Sequence, residues 1–200
     1  PYAFKARPWD LKKIESIDVL DAVGSSIRVD SKADRVFRIL PRLNEEINEE
    51  WINDKTRFAC DGLALQRLDK PYLKINGKLQ PVDWDEALAA LKEQSAKAED
   101  KIAALSGDLA DVESAFMLKN LMQKLGSDDL DCRPSGSQIN AKNRSSYLFN
   151  TTIAGIEQAD LCLIIGSNLR YEASLLNARL RKRYQAGGVK VATIGEDVDL

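Results

Sequence analysis

Three places in this chain carry residues whose type and spacing could do chemistry. The first is Gly166-Ser167-Asn168, which follows the apolar run Leu161-Cys162-Leu163-Ile164-Ile165. A helix N-terminus opening there, capped by Ser167 or Asn168, could offer free N–H groups to a phosphate. Only Gly166 of a G-x-G-x-x-G pattern is present and no P-loop occurs, so an ordinary strand-to-helix turn is the preferred reading. Tyr171 and Glu172 then serve packing and the helix dipole. The second place is Cys60, in Arg57-Phe58-Ala59-Cys60-Asp61-Gly62-Leu63. It could be a metal ligand, but an iron–sulfur cluster takes about four thiolates. Cys132 and Cys162 are far away and no C-x-x-C occurs, so spacing alone leaves Cys60 a small hydrophobe. The third is the acidic group Glu45, Glu46, Glu49 and Glu50. It could form a cation or partner site, but glutamates consecutive in sequence diverge in direction. A solvated segment pinned by Ile47, Trp51 and Phe58 is the preferred reading. The chain has no histidine, which removes the commonest general base and zinc ligand. No other nucleophile–base pair stands out.

These residues need elements to position them. Leu161–Ile165 reads as a strand buried on both faces. A helix follows in which Ala173, Leu176, Leu180 and Tyr184 recur at helical spacing, with Arg179, Arg181, Lys182 and Arg183 mainly on the remaining surface. Gly187-Gly188 ends it and 189–194 reads as the next, parallel strand, completing a βαβ unit. Upstream, residues 1–15 look like a lead-in. Three short strands follow, at Ile17 and Val19, at Ile27 and Val29, and at Val36 to Ile39. Asn76-Gly77 marks a hairpin between Tyr72 and Leu79. Asp83 and Glu86 form a capping box ahead of a helix carrying Trp84, Ala87, Leu88 and Leu91. A strand at 102–105 precedes a helix with Val112, Ala115, Leu118, Leu121 and Leu125 on one face, stopped by Gly126. Residues 127–144 read as a polar surface loop, and Thr151 or Thr152 as the cap of a short helix at 153–158. The fold class is α/β: a small β-rich subdomain (16–80), then a Rossmann-like α/β subdomain (81–200) with a mainly parallel sheet, truncated at its end.

Composition narrows the function. A net charge of −2 gives no electrostatic case for nucleic acid or an anionic membrane. The longest apolar runs fall far short of the roughly 20 residues a membrane-spanning helix needs, and no signal peptide is visible. Three well-separated cysteines suit a reducing compartment. With no initiator methionine, the chain reads as a segment of a longer polypeptide.

Several blocks in order carry a resemblance over essentially the whole chain: 16–29, 38–42, 48–58, 150–157 and 177–182. Asn48-Glu49-Glu50-Trp51-Ile52-Asn53-Asp54-Lys55-Thr56-Arg57-Phe58 is one such block, and Asn177-Ala178-Arg179-Leu180-Arg181-Lys182 another. Together they resemble the large iron–sulfur subunits of respiratory complex I, the G subunits of NADH:quinone oxidoreductases. This stretch resembles the start of their molybdopterin-oxidoreductase-like region. Members of that wider group carry a [4Fe–4S] cluster on C-x-x-C-x-x-x-C plus a later cysteine. The resemblance lays those positions on Asp18, Asp21, Ser25 and Cys60. Oxygen donors at three of them are poorly matched to a site that selects iron–sulfur by soft thiolate. Leu169 stands where pterin-binding relatives typically have proline. The resemblance thus implies a structural segment with no catalytic, cofactor-binding or metal-binding residue of its own. It implies [2Fe–2S] and [4Fe–4S] clusters upstream, carrying electrons from NADH toward quinone. It implies partners in the peripheral arm, including the flavin-bearing, NADH-oxidising subunit, with Trp51, Ile52 and Phe58 as candidate contacts. The location implied is the cytoplasmic face of a bacterial inner membrane or the matrix side of the mitochondrial one. The alternatives are a molybdopterin-dependent oxidoreductase fragment binding its own cofactor, and a nucleotide-binding module.

Overall fold

The computed structural model describes residues 5–98, 101–133, 136 and 138–196. Its contacts divide the chain into two compact units, one of residues up to Gln66 with those from Ala141 onward, the other Arg67–Asn140.

The first unit opens with an antiparallel sheet of β1 (Lys12–Ile17), β2 (Ser26–Lys32) and β3 (Arg35–Pro41), in that spatial order. Opposed residues share a face, so the pairing Ile14–Val29–Ile39 makes one side apolar while Lys13–Asp30–Arg38 charges the other. The first strand starts inside the expected lead-in and ends before Val19. Its alternation is too weak to read alone, and pairing with β2 is what defines it.

The acidic segment that follows is pinned differently from the expectation. Asn48, Ile52 and Thr56 are buried, whereas Trp51 and Phe58 are exposed. Asn48 anchors the segment because its carboxamide satisfies a tight bend. Its Oδ1 accepts the Ser26 N–H at 2.9 Å, and its Nδ2 donates to the carbonyls of Arg42, Glu49 and Trp51. Helix α1 (Asp54–Phe58) is capped by Asn53, whose Oδ1 accepts from Thr56 N–H, and runs into a 3₁₀ turn at Ala59–Ala64.

The same unit contains the βαβ element. Strand β8 (Leu161–Ile165) pairs in parallel with β9 (Lys190–Ile194), with α4 (Leu169–Glu172) and α5 (Ser174–Gln185) between them. The helix expected to be continuous is split at Ala173, whose extended φ of −153° interrupts it. Ile164 packs with Ile156 and Leu180, and Cys162, Leu176 and Val191 close around them. Contrary to the expectation of burial on both faces, Leu161, Leu163 and Ile165 are more than half exposed. Among the described residues only one side of this sheet has a covering layer. Arg179, expected near the surface, is buried, whereas Tyr184 is exposed.

In the second unit, β4 (Tyr72–Ile75) and β5 (Lys78–Pro81) form the expected hairpin. Asn76 and Gly77 both have positive φ, 50° and 82°, as a type I′ turn requires. Asp83 caps α2 (Trp84–Lys97) by accepting the Glu86 N–H at 2.8 Å. Strand β6 (Ala104–Leu105) pairs in parallel with β7 (Leu130–Asp131), and α3 (Val112–Lys124) connects them. The β7 strand falls inside the expected polar loop. Leu130 is its one apolar residue, flanked by Asp129 and Asp131, so backbone pairing with β6 creates a strand that hydrophobic patterning cannot signal. The whole is mixed α/β, with small antiparallel sheets and two parallel pairs. No helix among the described residues is long and apolar enough to cross a membrane.

Candidate functional site

The loop between β1 and β2 brings Asp18, Asp21 and Ser25 to the start of α1. The Asp18 N–H donates to the Ser25 carbonyl at 2.8 Å, closing the loop on itself. Asp18 is buried, and its Oδ2 accepts from the Thr56 hydroxyl at 2.5 Å while its Oδ1 accepts from Leu20 N–H at 3.2 Å. Asp21 Oδ1 accepts from Val23 N–H at 2.9 Å, and its Oδ2 accepts from Asn53 Nδ2 at 2.5 Å. Asn53 in turn accepts from Thr56 N–H at 2.6 Å. Asp18, Thr56, Asn53 and Asp21 therefore form one continuous polar chain tying the loop to the helix. Ser25 is buried beside it, its hydroxyl without a partner among the described residues.

Cys60 lies four residues past Thr56, buried, with its thiol 3.8 Å from the Arg57 carbonyl. Burial, and then the charge of Asp61, push this thiol above the usual cysteine range, so it stays protonated at neutral pH. Both aspartates already accept hydrogen bonds on each oxygen, and the one thiol is held neutral. Among the described residues, no group of three or more histidine, cysteine or acidic side chains is placed to hold a metal. This donor set does not fit a thiolate-held cluster. Its hydrogen bonds tie the β1–β2 loop to α1. Thr56→Val, which removes the hydroxyl donor and leaves Asp18 short of a partner, is expected to lower stability by about 2 kcal/mol in urea unfolding.

The Gly166 turn is the other candidate. Gly166, with φ of 63°, donates its N–H to the Ile194 carbonyl at 2.8 Å. Asn168 N–H donates to Glu172 Oε1 at 2.9 Å, and Asn168 Oδ1 accepts from Arg170 N–H at 3.1 Å. The turn's own residues thus take up donors that an anion would need, and Glu172 adds a carboxylate at the spot.

Residue patterning missed one buried polar centre, the environment of Arg179. From α5 its guanidinium donates to the Glu45 carbonyl at 2.6 Å, to the Ile47 carbonyl at 3.2 Å and to Glu157 Oε1 at 2.6 Å. Lys182 joins the group, 2.8 Å from Glu49 and 3.2 Å from Glu157. Burial raises the Glu157 carboxyl, but its hydrogen bonds to Lys182 and Arg179 and their charges more than offset that and hold it below the usual range. The available signal was the spacing Leu175–Arg179, which puts the arginine four residues along the buried face.

A sequence model of the molybdopterin oxidoreductase family matches residues 67–200, and the chain belongs to that family. Residues 11–61 match the NADH-ubiquinone oxidoreductase NDSU1/NuoG-like 4Fe-4S domain. The chain is 57% identical over 198 residues to the NADH-quinone oxidoreductase G subunit of Rickettsia felis, covering 98% of this chain and 29% of that protein. It is 50% identical to the mitochondrial NADH-ubiquinone oxidoreductase 78 kDa subunit of Neurospora crassa, covering 100% of this chain and 28% of that one. Against the mitochondrial NADH dehydrogenase [ubiquinone] iron-sulfur protein 1 of Solanum tuberosum, identity is 48%, with coverage of 100% and 27%. The resemblance read from the residues is borne out over almost the whole chain, which spans less than a third of each of these relatives. The match at 11–61 is to a domain named for an iron–sulfur cluster, so it does not support the expectation of a segment without such a cofactor.

Proposed function

We propose that this chain is a structural segment of the large iron–sulfur subunit, the G subunit, of NADH:quinone oxidoreductase (respiratory complex I). The whole subunit would carry electrons from NADH toward quinone through [2Fe–2S] and [4Fe–4S] clusters held upstream of this segment. The segment itself would supply scaffold in the peripheral arm, near the flavin-bearing NADH-oxidising subunit. It would lie on the cytoplasmic face of a bacterial inner membrane or the matrix side of the mitochondrial one. The observation that carries this reading is 57% identity over 198 residues to a protein named as that subunit. The two domain matches, in order along the chain, support its place in that subunit.

Within this reading, residues 1–15 are a lead-in and 16–80 a β-rich subdomain of the [4Fe–4S] type that no longer assembles its cluster. Residues 81–200 are a Rossmann-like α/β subdomain, supported by the parallel pairs β6–β7 and β8–β9. No catalytic, cofactor-binding or metal-binding residue is assigned. The rival, a molybdopterin-dependent oxidoreductase fragment with its own cofactor, draws on the family match at 67–200. Against it stand Leu169 at the turn and the donors already taken up there. A stand-alone nucleotide-binding module meets the same objection.

Anaerobic purification followed by metal and labile-sulfide analysis separates these readings. The protein is expected to be colourless, with iron, molybdenum and tungsten far below one per chain. Stoichiometric iron with sulfide would overturn the cluster-free reading, and stoichiometric molybdenum or tungsten would favour the rival. Saturable micromolar binding of NADH or ATP would favour the nucleotide module. The role within the complex is tested by deleting residues 1–200 from the parent polypeptide, which is expected to abolish assembly of NADH:quinone activity in membranes.

A further inference from the structure

The 3₁₀ turn after α1, the β3 strand and residues 5–10 surround a cleft of about 990 Å³. Lys5, Arg7, Lys32, Arg38 and Arg57 line it, against only two carboxylates, Asp10 and Asp61. Three of the cations have partners within the chain. Lys32 lies 3.3 Å from Asp10, Arg38 lies 2.6 Å from Asp30, and the Arg7 guanidinium sits 5.7 Å over the Trp9 ring. Arg57 differs. It is half-buried, and among the described residues its hydrogen bonds involve only its backbone, the N–H donating to the Asn53 carbonyl and the carbonyl accepting from the Cys60 thiol. A guanidinium has five N–H donors in a fixed fork, and partial burial without an acceptor is unfavourable. Phe58, next to it in the chain, lines the same cleft and is 45% exposed. Phe37 and Ile39 add apolar lining.

We propose that this cleft receives an extended acidic segment of a neighbouring subunit. One of its carboxylates accepts a bidentate pair of hydrogen bonds from Arg57, and an apolar side chain rests on Phe58. The inference builds on the reading of the chain as part of a multi-subunit enzyme. The excess of cations supplies the charge complementarity. The unfilled planar fork of Arg57 selects a carboxylate. The size of the cleft suits several residues of peptide, being at the upper end of small-ligand pockets. A phosphate-bearing nucleotide is the less favoured occupant, because among the described residues neither a glycine-rich loop nor a long helix N-terminus faces the cleft.

The test uses the parent subunit within its purified complex, carrying the photoreactive substitution Phe58→benzoylphenylalanine. Irradiation is expected to cross-link a second polypeptide through a peptide rich in aspartate and glutamate. Arg57→Gln is expected to cut the yield about tenfold, with Arg57→Lys intermediate. Cross-links confined to the subunit itself, or to a partner peptide without acidic residues, would overturn the proposal. So would loss of the cross-link on adding millimolar NADH or ATP, which would point to a small anion. A subunit that enters no complex at all would instead sink the functional reading on which the proposal builds.

Discussion

Arg179→Ala is expected to destabilise the protein by about 3–5 kcal/mol, the range for removing one partner of a buried ion pair. The arginine side chain is only 5% exposed, so its removal leaves a hole as well as unmatched acceptors. The carbonyls of Glu45 and Ile47 would lose their side-chain donor, while Glu157 would keep Lys182 alone. The loss would also loosen the hold of α5 on the segment before α1, because the bonds to Glu45 and Ile47 cross more than a hundred residues of sequence. Arg179→Lys keeps the charge but not the fork, and is expected to recover less than half of the loss. Arg181→Ala, two positions along the same helix and exposed, should stay within about 0.5 kcal/mol. Urea unfolding followed by circular dichroism measures all three. Equal midpoints for Arg179→Ala and Arg181→Ala would show that the buried arginine contributes nothing specific.

Asp30→Ala is the second large effect, also expected at about 3–5 kcal/mol, and its pH dependence identifies the cause. Asp30 lies on the charged face of the sheet, yet its side chain has no solvent exposure. Arg28 Nε lies 2.8 Å from one carboxylate oxygen and Arg38 Nε 2.6 Å from the other, so the two guanidinium groups themselves form its cover. Burial raises this carboxyl, but the hydrogen bonds and charges of Arg28 and Arg38 outweigh it and hold it below the ordinary aspartate range. A depressed folded-state value means the unfolded chain binds the proton first as pH falls. The contribution is therefore fully present above the unfolded value of about 3.9 and disappears as pH drops through the folded value. The wild-type advantage over Asp30→Asn should be constant from pH 7 to about 5 and shrink steadily below about pH 4. A difference independent of pH down to about 2.5 would mean that shape, not charge, accounts for it.

In the region matching a [4Fe–4S] domain, hydrogen bonds hold the β1–β2 loop against α1. Asp18, Asp21, Asn53 and Thr56 link the β1–β2 loop to α1 through N–H···O and O–H···O hydrogen bonds. Such a network fixes these two chain segments to each other. It does so by direct pairing, and each member depends on the others being present.

Local chemistry carried much of the fold in the sequence. Asn76-Gly77 specified its hairpin because only residues that tolerate positive φ suit a type I′ turn. Asp83 specified a helix start because its carboxylate reaches an N–H three residues on. The apolar run 161–165, the helix and Gly187 specified the βαβ unit because strand, helix and stop each have a short-range signature. The resemblance, resting on several blocks in order, specified the family. What tertiary structure alone decided were the pairings whose partners lie far apart along the chain. Arg179 became a buried clamp because Glu45, Ile47 and Glu157 converge on it, and Asp30 became inaccessible because two neighbouring strand positions cover it. Asn48 displaced Trp51 as an anchor because a bend needed hydrogen-bond partners more than apolar area. Leu130 joined a strand because β6 presented unpaired backbone beside it. In each case the residue's own type was neutral about its role, and the neighbours brought to it by folding set its burial and its bonds.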